Sequence, residues 1–200
     1  SRREWQPVQA HAEALLALAT EHRFARYMAM GAVFRGRALA AQGLGAEGIA
    51  QMHQGLAALR ATGTVLGTPI YLGWLAEVYG QVGQVDEGLH LLAEALAMGD
   101  TTRSRLAAEL HRLHGELLLR QAIPDTPQAE ACFQQALDVA RHQQAKSWEL
   151  RIATSLSRLW QQQGKRAQAR ELLAPLYAWF TEGFDTADLQ DAKALLAELG

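Results

Sequence analysis

Apolar positions recur at helical spacing through most of this chain. Val85, Leu89, Leu92 and Leu96 are separated by 4, 3 and 4 residues, one face of a 3.6-residue helix. Leu189, Ala192, Leu196 and Leu199 follow 3, 4 and 3 at the C-terminus. Strand-type alternation is nearly absent, and the one tempting segment, residues 62–67 (TGTVLG), reads as a loop because of its glycines. The pattern predicts helices over 7–19, 22–42, 46–61, 69–82, 86–98, 102–121, 127–143, 146–163, 167–180 and 187–199. Thr68 before Pro69 and Thr126 before Pro127 read as N-cap then first helical residue, and Asp185 or Thr186 caps the last helix. Gly43, Gly83 and Gly164 close one helix shortly before the next begins.

The helices repeat. Gly43 lies 40 residues before the turn glycine Gly83, and Gly164 lies 81 after it. Small residues recur in the first helix of each pair (Gly36, Ala76, Gly115, Ser157) and in the second (Gly48, Gly88, Ala129, Ala169, then Gly55, Ala95, Ala136). Antiparallel helices approach closely only where side chains are small, and larger neighbours such as Tyr79, Leu92, Phe133, Trp160 and Leu173 fill the space between repeats. At the ends the slots hold Val8, Leu15 and Leu176, as terminal repeats commonly differ. The expected fold is all-α, a right-handed superhelical solenoid of antiparallel helix pairs with a repeat of about 40 residues. It forms one domain, 1–200: a half repeat at 1–20, pairs at 21–61, 68–98, 101–143 and 146–180, and a capping helix at 185–200. That cap turns Asp188, Asp191, Lys193 and Glu198 outward. The third pair has the longer turn, Ala122-Ile123-Pro124-Asp125-Thr126.

The order small, aromatic, turn glycine, small, large, alanine resembles the tetratricopeptide repeat (TPR), with Leu75-Ala76-Glu77-Val78-Tyr79 as its Leu-Ala-x-x-Tyr element. The longer period resembles the helical arrays of bacterial signal-transduction ATPases. "AELHRLHGELLL" (108–119), "AEACFQQALDVAR" (129–141), "LWQQQGKRAQARELLAP" (159–175) and "WFTEGFDTADLQDAKALL" (179–196) look like the C-terminal region of bacterial multidomain proteins. Those carry an N-terminal adenylate/guanylate cyclase or DNA-binding domain, a STAND-type ATPase, and then a helical array. The resemblance implies an interaction or sensing module; any cyclase or ATPase activity would lie in upstream domains, so this chain is expected not to be an enzyme.

Composition narrows the classes. A formal net charge of -2 lacks the basic face of a nucleic-acid-binding domain. Cys132 is the single cysteine, which excludes an intrachain disulfide and suits a reducing cytoplasm. No apolar run approaches the ~20 residues of a membrane span. The chain opens without Met, which points to a piece of something longer.

Candidate chemistry is sparse. "GLGAEG" (43–48) fits a dinucleotide fingerprint, but a helix precedes it and residues 61–68 hold no acid for the ribose. The repeat register instead makes Gly43 a turn glycine and Gly48 a contact glycine. "QGKR" (163–166) lacks the earlier glycine and the Ser/Thr of a phosphate loop. His111 and His114, with Glu109 near, could chelate a metal only with a further ligand; they read as structural histidines. Cys132 beside Phe133 reads as a small buried hydrophobe. No catalytic residue, metal ligand or cofactor site is expected.

Ligands of such arrays usually lie along the first helices of successive pairs. That face offers Val33, Phe34 and Arg37, then Ile70, Trp74 and Glu77, then Glu109, Arg112 and Glu116, then Arg151, Ser155, Arg158 and Gln161. The expected groove residues are Phe34, Arg37, Trp74, Glu77, Arg112, Glu116, Arg151, Arg158 and Gln161. The expected partner is a protein, a peptide or effector, or upstream domains of the same protein, with no direct nucleic-acid or membrane contact. Two alternatives stand beside this. One is a self-association scaffold dimerising through helix 7–19, whose stripe Val8, Ala12, Leu15, Leu16 and Ala19 would be partly exposed. The other is a small-molecule-binding domain around Trp74, Arg112 and Arg158.

Overall fold

A computed structural model describes residues 2–63, 67–98 and 106–200, with side chains from residue 7. Among the described residues there are helices and turns only. They are α1 (Arg2–Glu21), α2 (Ala25–Ala41), α3 (Gly45–Ala61), α4 (Thr68–Gln81), α5 (Val85–Ala97), α6 (Ala107–Leu118), α7 (Thr126–His142), α8 (Lys146–Gln162), α9 (Arg166–Ala178) and α10 (Ala187–Leu199). The all-α class expected from the periodicity is what the chain adopts. α1 begins earlier than expected and carries Pro7 within it, and the expected start of α6, residues 102–105, lies outside the described residues. The two Thr-Pro starts differ by one position. Gly67 and Asp125 are the N-caps, and the Asp125 carboxylate accepts from the Gln128 N–H at 3.0 Å. Aspartate wins there because its ionised oxygen also meets the positive end of the helix. Thr186 does hold the N-cap of α10, but its hydroxyl donates back to the Gly183 carbonyl.

The chain divides into two compact units, Ser1–Gly99 and Asp100–Gly200. In the first, α2 pairs with α3 and α4 with α5, while α1 packs on α2. In the second, α6 pairs with α7 and α8 with α9, and α10 lies against both α8 and α9.

The small residues meet one another. A Cβ on Gly36 would lie 2.7 Å from the Gly48 carbonyl oxygen, and one on Gly48 would lie 2.5 Å from that of Gly36. In the pair α8–α9 the same two slots hold Ser157 and Ala169, and the Ser157 hydroxyl donates to the Ala169 carbonyl at 3.1 Å. The hydroxyl is fully buried yet satisfied, so serine can stand where glycine stands elsewhere.

Five tight turns among the described residues share one construction. Phe24, Leu44, Gln84, Ala145 and Lys165 each donate an N–H to the carbonyl five residues back, the long bond of a Schellman motif. The residue before each donor has positive φ: Arg23 (55°), Gly43 (97°), Gly83 (84°), Gln144 (54°) and Gly164 (78°). Only three of the five are glycine, so only three were visible as turns by their glycine. The α6–α7 connection is longer, 119–125, as expected. A side chain in the left-handed region costs roughly 1–2 kcal/mol. Gln144→Gly should therefore raise stability by about 0.5–1 kcal/mol after glycine's larger chain entropy is deducted. Urea denaturation checks this.

Candidate binding groove

In the first unit the face shared by α2 and α4 is aromatic. Tyr71 and Trp74 lie one turn apart on α4, and both reach Phe34 on α2. Ring centroids are 6.1 Å apart for Phe34–Tyr71, 5.5 Å for Phe34–Trp74 and 5.5 Å for Tyr71–Trp74. One turn beyond Phe34, the Arg37 guanidinium sits 4.4 Å over the Trp74 ring. One turn beyond Trp74, the Glu77 carboxylate accepts from Arg37 at 3.1 Å. Trp74, Phe34, Arg37 and Glu77 are half-buried, which leaves contact surface for a ligand. A cavity of about 400 Å³ opens beside this pair, lined by Arg37, Ala41, Gly43, Glu77 and Gln81 among others. A second, of about 280 Å³, is bounded by Val8, His11, Ala12, Leu15 and Phe34. Burial pushes the Tyr71 phenol pKa up, partly opposed by the charge of Arg26. The Arg37 and Glu77 side chains stay 25% and 30% exposed, so a ligand on this face reaches both charges. Val33 and Ile70, expected on this face, are buried in the core.

The second unit puts its groove residues to a different use. Arg112 donates to both oxygens of Glu109, at 2.7 and 2.9 Å, and to Glu116 at 3.3 Å. Ser155 donates to Glu116 at 2.6 Å. Arg151 grips Asp188 at 2.6 Å, lies 3.6 Å from Glu109 and stacks 4.9 Å over Trp148. Arg158 pairs with Asp191 at 3.4 Å, and Gln161 donates to Glu198 at 3.1 Å. Asp191 and Glu198 of α10 are exposed and Asp188 is half-buried, and all three also meet α8. Burial alone would lower the Arg151 pKa, but the Asp188 hydrogen bonds and the Glu109 charge outweigh it and raise the pKa. Each of the three arginines expected as an anchor here already has a carboxylate of the same chain beside it. Arg112 finds its carboxylates on its own helix, whereas Arg151 and Arg158 find theirs on α10, the next helix after their own pair.

Likeness to known proteins lies at the level of fold. No known family profile matches the chain. It is 29% identical over 143 residues to an uncharacterized protein of Rhizobium meliloti (strain 1021); the match covers 70% of this chain and 14% of that protein. Among solved structures it resembles BtubC (BKLC) from P. vanneervenii, with TM-score 0.71, 13% identity, and 98% and 89% of the two chains covered. It also resembles the nearly identical TPR-like repeats of a candidate kinesin light chain from Podosopora anserina, solved in two forms. For a point variant of that protein the TM-score is 0.62 at 21% identity, covering 88% of this chain and 89% of the other. For the second form it is 0.59 at 20% identity, covering 98% and 92%. The fold is that of TPR-like repeats.

The histidine pair sits inside this TPR-like framework. His111 is buried, and its Nε2 has no hydrogen-bond partner. His114 Nδ1 lies 3.7 Å from the buried Cys132 sulfur. Burial raises the Cys132 pKa, with Asp125 adding to the effect, so the thiol stays protonated and a poor nucleophile. Among the described residues no group of three or more His, Cys, Asp or Glu could hold a metal ion. No helix among them is long and apolar enough to cross a membrane.

Burial lowers the pKa of both histidines, and the His114 charge lowers that of His111 further. Both are neutral in the folded protein at pH values where an unfolded histidine, pKa ~6.5, takes a proton. Their contribution to stability is complete above about pH 6.5 and is lost as pH falls from there through the lowered folded pKa values. The melting temperature should fall from pH 7 to pH 5, and His111→Gln should flatten that fall. An equal fall in both proteins would contradict the assignment.

Proposed function

We propose that this chain is the interaction or sensing module of a larger bacterial signalling or transcription-regulating protein, and that it captures a protein or peptide on the α2–α4 face of its first unit. The observation that carries the reading is the pair of half-buried rings Phe34 and Trp74, packed on the buried Tyr71 and closed by Arg37 and Glu77 beside an open cavity. Tryptophan and arginine anchor partners strongly when a ligand excludes water from them. The internally paired Arg112, Arg151 and Arg158 then act mainly in holding first helices in register, with Arg158–Asp191 the most exposed and most easily opened pair. The sequence resemblance supports placing the module behind an upstream switch domain. Self-association through the α1 stripe has less support, because Ala12 and Ala19 are buried and a Cβ on Gly31 of α2 would meet Leu16.

The test is affinity capture from source cells using the full-length parent protein. Trp74→Ala with Arg37→Ala should reduce partner recovery at least about tenfold, since such anchors commonly carry ~2 kcal/mol or more. The melting temperature should change little beyond the lost ring contacts. Undiminished capture by the double variant would move the site elsewhere.

A further inference from the structure

Each unit carries an exposed aromatic patch, and the two patches are of opposite charge. In the first unit the turn between α1 and α2 presents His22, Phe24 and Tyr27. His22 stacks on Phe24 at 5.6 Å, and Phe24 meets Tyr27 edge-on at 6.1 Å. Phe24 is 55% exposed and Tyr27 49%. Arg23 and Arg26 flank these rings, and among the described residues neither makes an ion pair.

The second unit carries the counterpart, just after α9. Trp179 meets Phe180 edge-on at 5.1 Å, and Phe184 leans on Tyr177 at 5.9 Å. Trp179 is 58% exposed and Phe184 46%. Glu182 and Asp185 flank them, again with no ion pair among the described residues. The contrast with the adjacent helices is informative. Asp188, Asp191, Arg151 and Arg158 are all paired, whereas these four charges beside exposed rings are not.

We propose that the two patches are the halves of one intermolecular interface, by which the 179–185 segment of one copy docks on the α1–α2 turn of a second copy. Water gains freedom when exposed rings are covered. The charges match across the contact: Arg23 and Arg26 on one side, Glu182 and Asp185 on the other. Either arginine can also lie over the face of Trp179. Because the two surfaces differ, each contact joins one patch of one copy to the other patch of a second copy. Two or three half-exposed rings present roughly 300 Å² per side. That is well below the ~800 Å² per partner of a stable complex. The association is therefore transient, concentration-dependent and sensitive to salt.

Sedimentation velocity of this full chain, over a dilution series at low and high salt, tests it. The mean mass should grow with concentration, and salt should reduce that growth. R23E/R26E and E182K/D185K should each weaken association at least about tenfold, because like charges then face each other. A mixture of those two variants should recover it, since each then offers the charge the other lacks. These are surface substitutions, and unchanged melting temperatures will show that the fold is kept. F24A with W179A should also abolish association. A chain that stays monomeric at every concentration, variants that associate as the parent does, or a mixture that fails to recover would each overturn the proposal.

Discussion

Phe133→Ala is expected to cost the second unit about 3–5 kcal/mol, the largest single-residue effect in the molecule. Phe133 is fully buried on α7, and its ring edge occupies the space where Gly115 of α6 has no side chain. A Cβ on Gly115 would lie 2.7 Å from the ring. The two residues are therefore one packing unit: the glycine makes room and the ring fills it. Gly115→Ala alone should destabilise by overpacking, by about 1–3 kcal/mol. Combined with Phe133→Leu it should cost less than the sum of the two single changes, because the smaller side chain vacates the contested space. Urea denaturation of the four proteins, with amide exchange of α6 and α7 followed by segment, measures this. Strict additivity would contradict the packing account.

Gly48→Leu comes second, at about 3 kcal/mol, the top of the usual overpacking range. The obstruction is backbone on both sides. A Cβ at 48 meets the Gly36 carbonyl oxygen at 2.5 Å and the Ala40 backbone nitrogen at 2.9 Å. Neither can rotate away, so α2 and α3 must separate, and the gain in helix propensity over glycine, about 1 kcal/mol or less, does not offset that. Gly45 is the internal control. A Cβ there meets only the Val82 side chain, whose valine is 42% exposed and can turn aside. Gly45→Ala should cost less than about 1 kcal/mol. Thermal unfolding of both variants decides, and equal losses would sink the distinction. The glycines of GLGAEG thus have separate duties: a positive-φ turn at 43, tolerance at 45 and helix contact at 48.

The division of labour along the expected groove follows from charge. Phe34 and Trp74 present ring surface beside the Arg37–Glu77 ion pair. Arg112, Arg151 and Arg158 meet carboxylates from their own or neighbouring helices, so a ligand there must compete with contacts already made. Burial of Glu109 and Arg112 raises that cost, since removing one member of a buried pair leaves the other uncompensated.

Sequence by itself determined the helices, their pairing and the slots where they touch. Those features are periodic, and period is local information: small residues every 40 positions and glycines at three turns suffice. Periodicity alone placed a break at 144–145 and another at 20–21, two residues before the left-handed Arg23; the positive φ of Arg23 and Gln144 belongs to the Schellman bonds and is not announced by glycine. Tyr71 was overlooked as the buried support beneath Phe34 and Trp74, although its place one turn before Trp74 was a usable signal. Only tertiary structure decided which polar groups are spent inside the protein. Asp188, Asp191 and Glu198 look like a solvated face when α10 is read alone. They become the partners of Arg151, Arg158 and Gln161 once α10 lies on α8. A charge's partner depends on the relative placement of two helices, which one-helix periodicity does not encode.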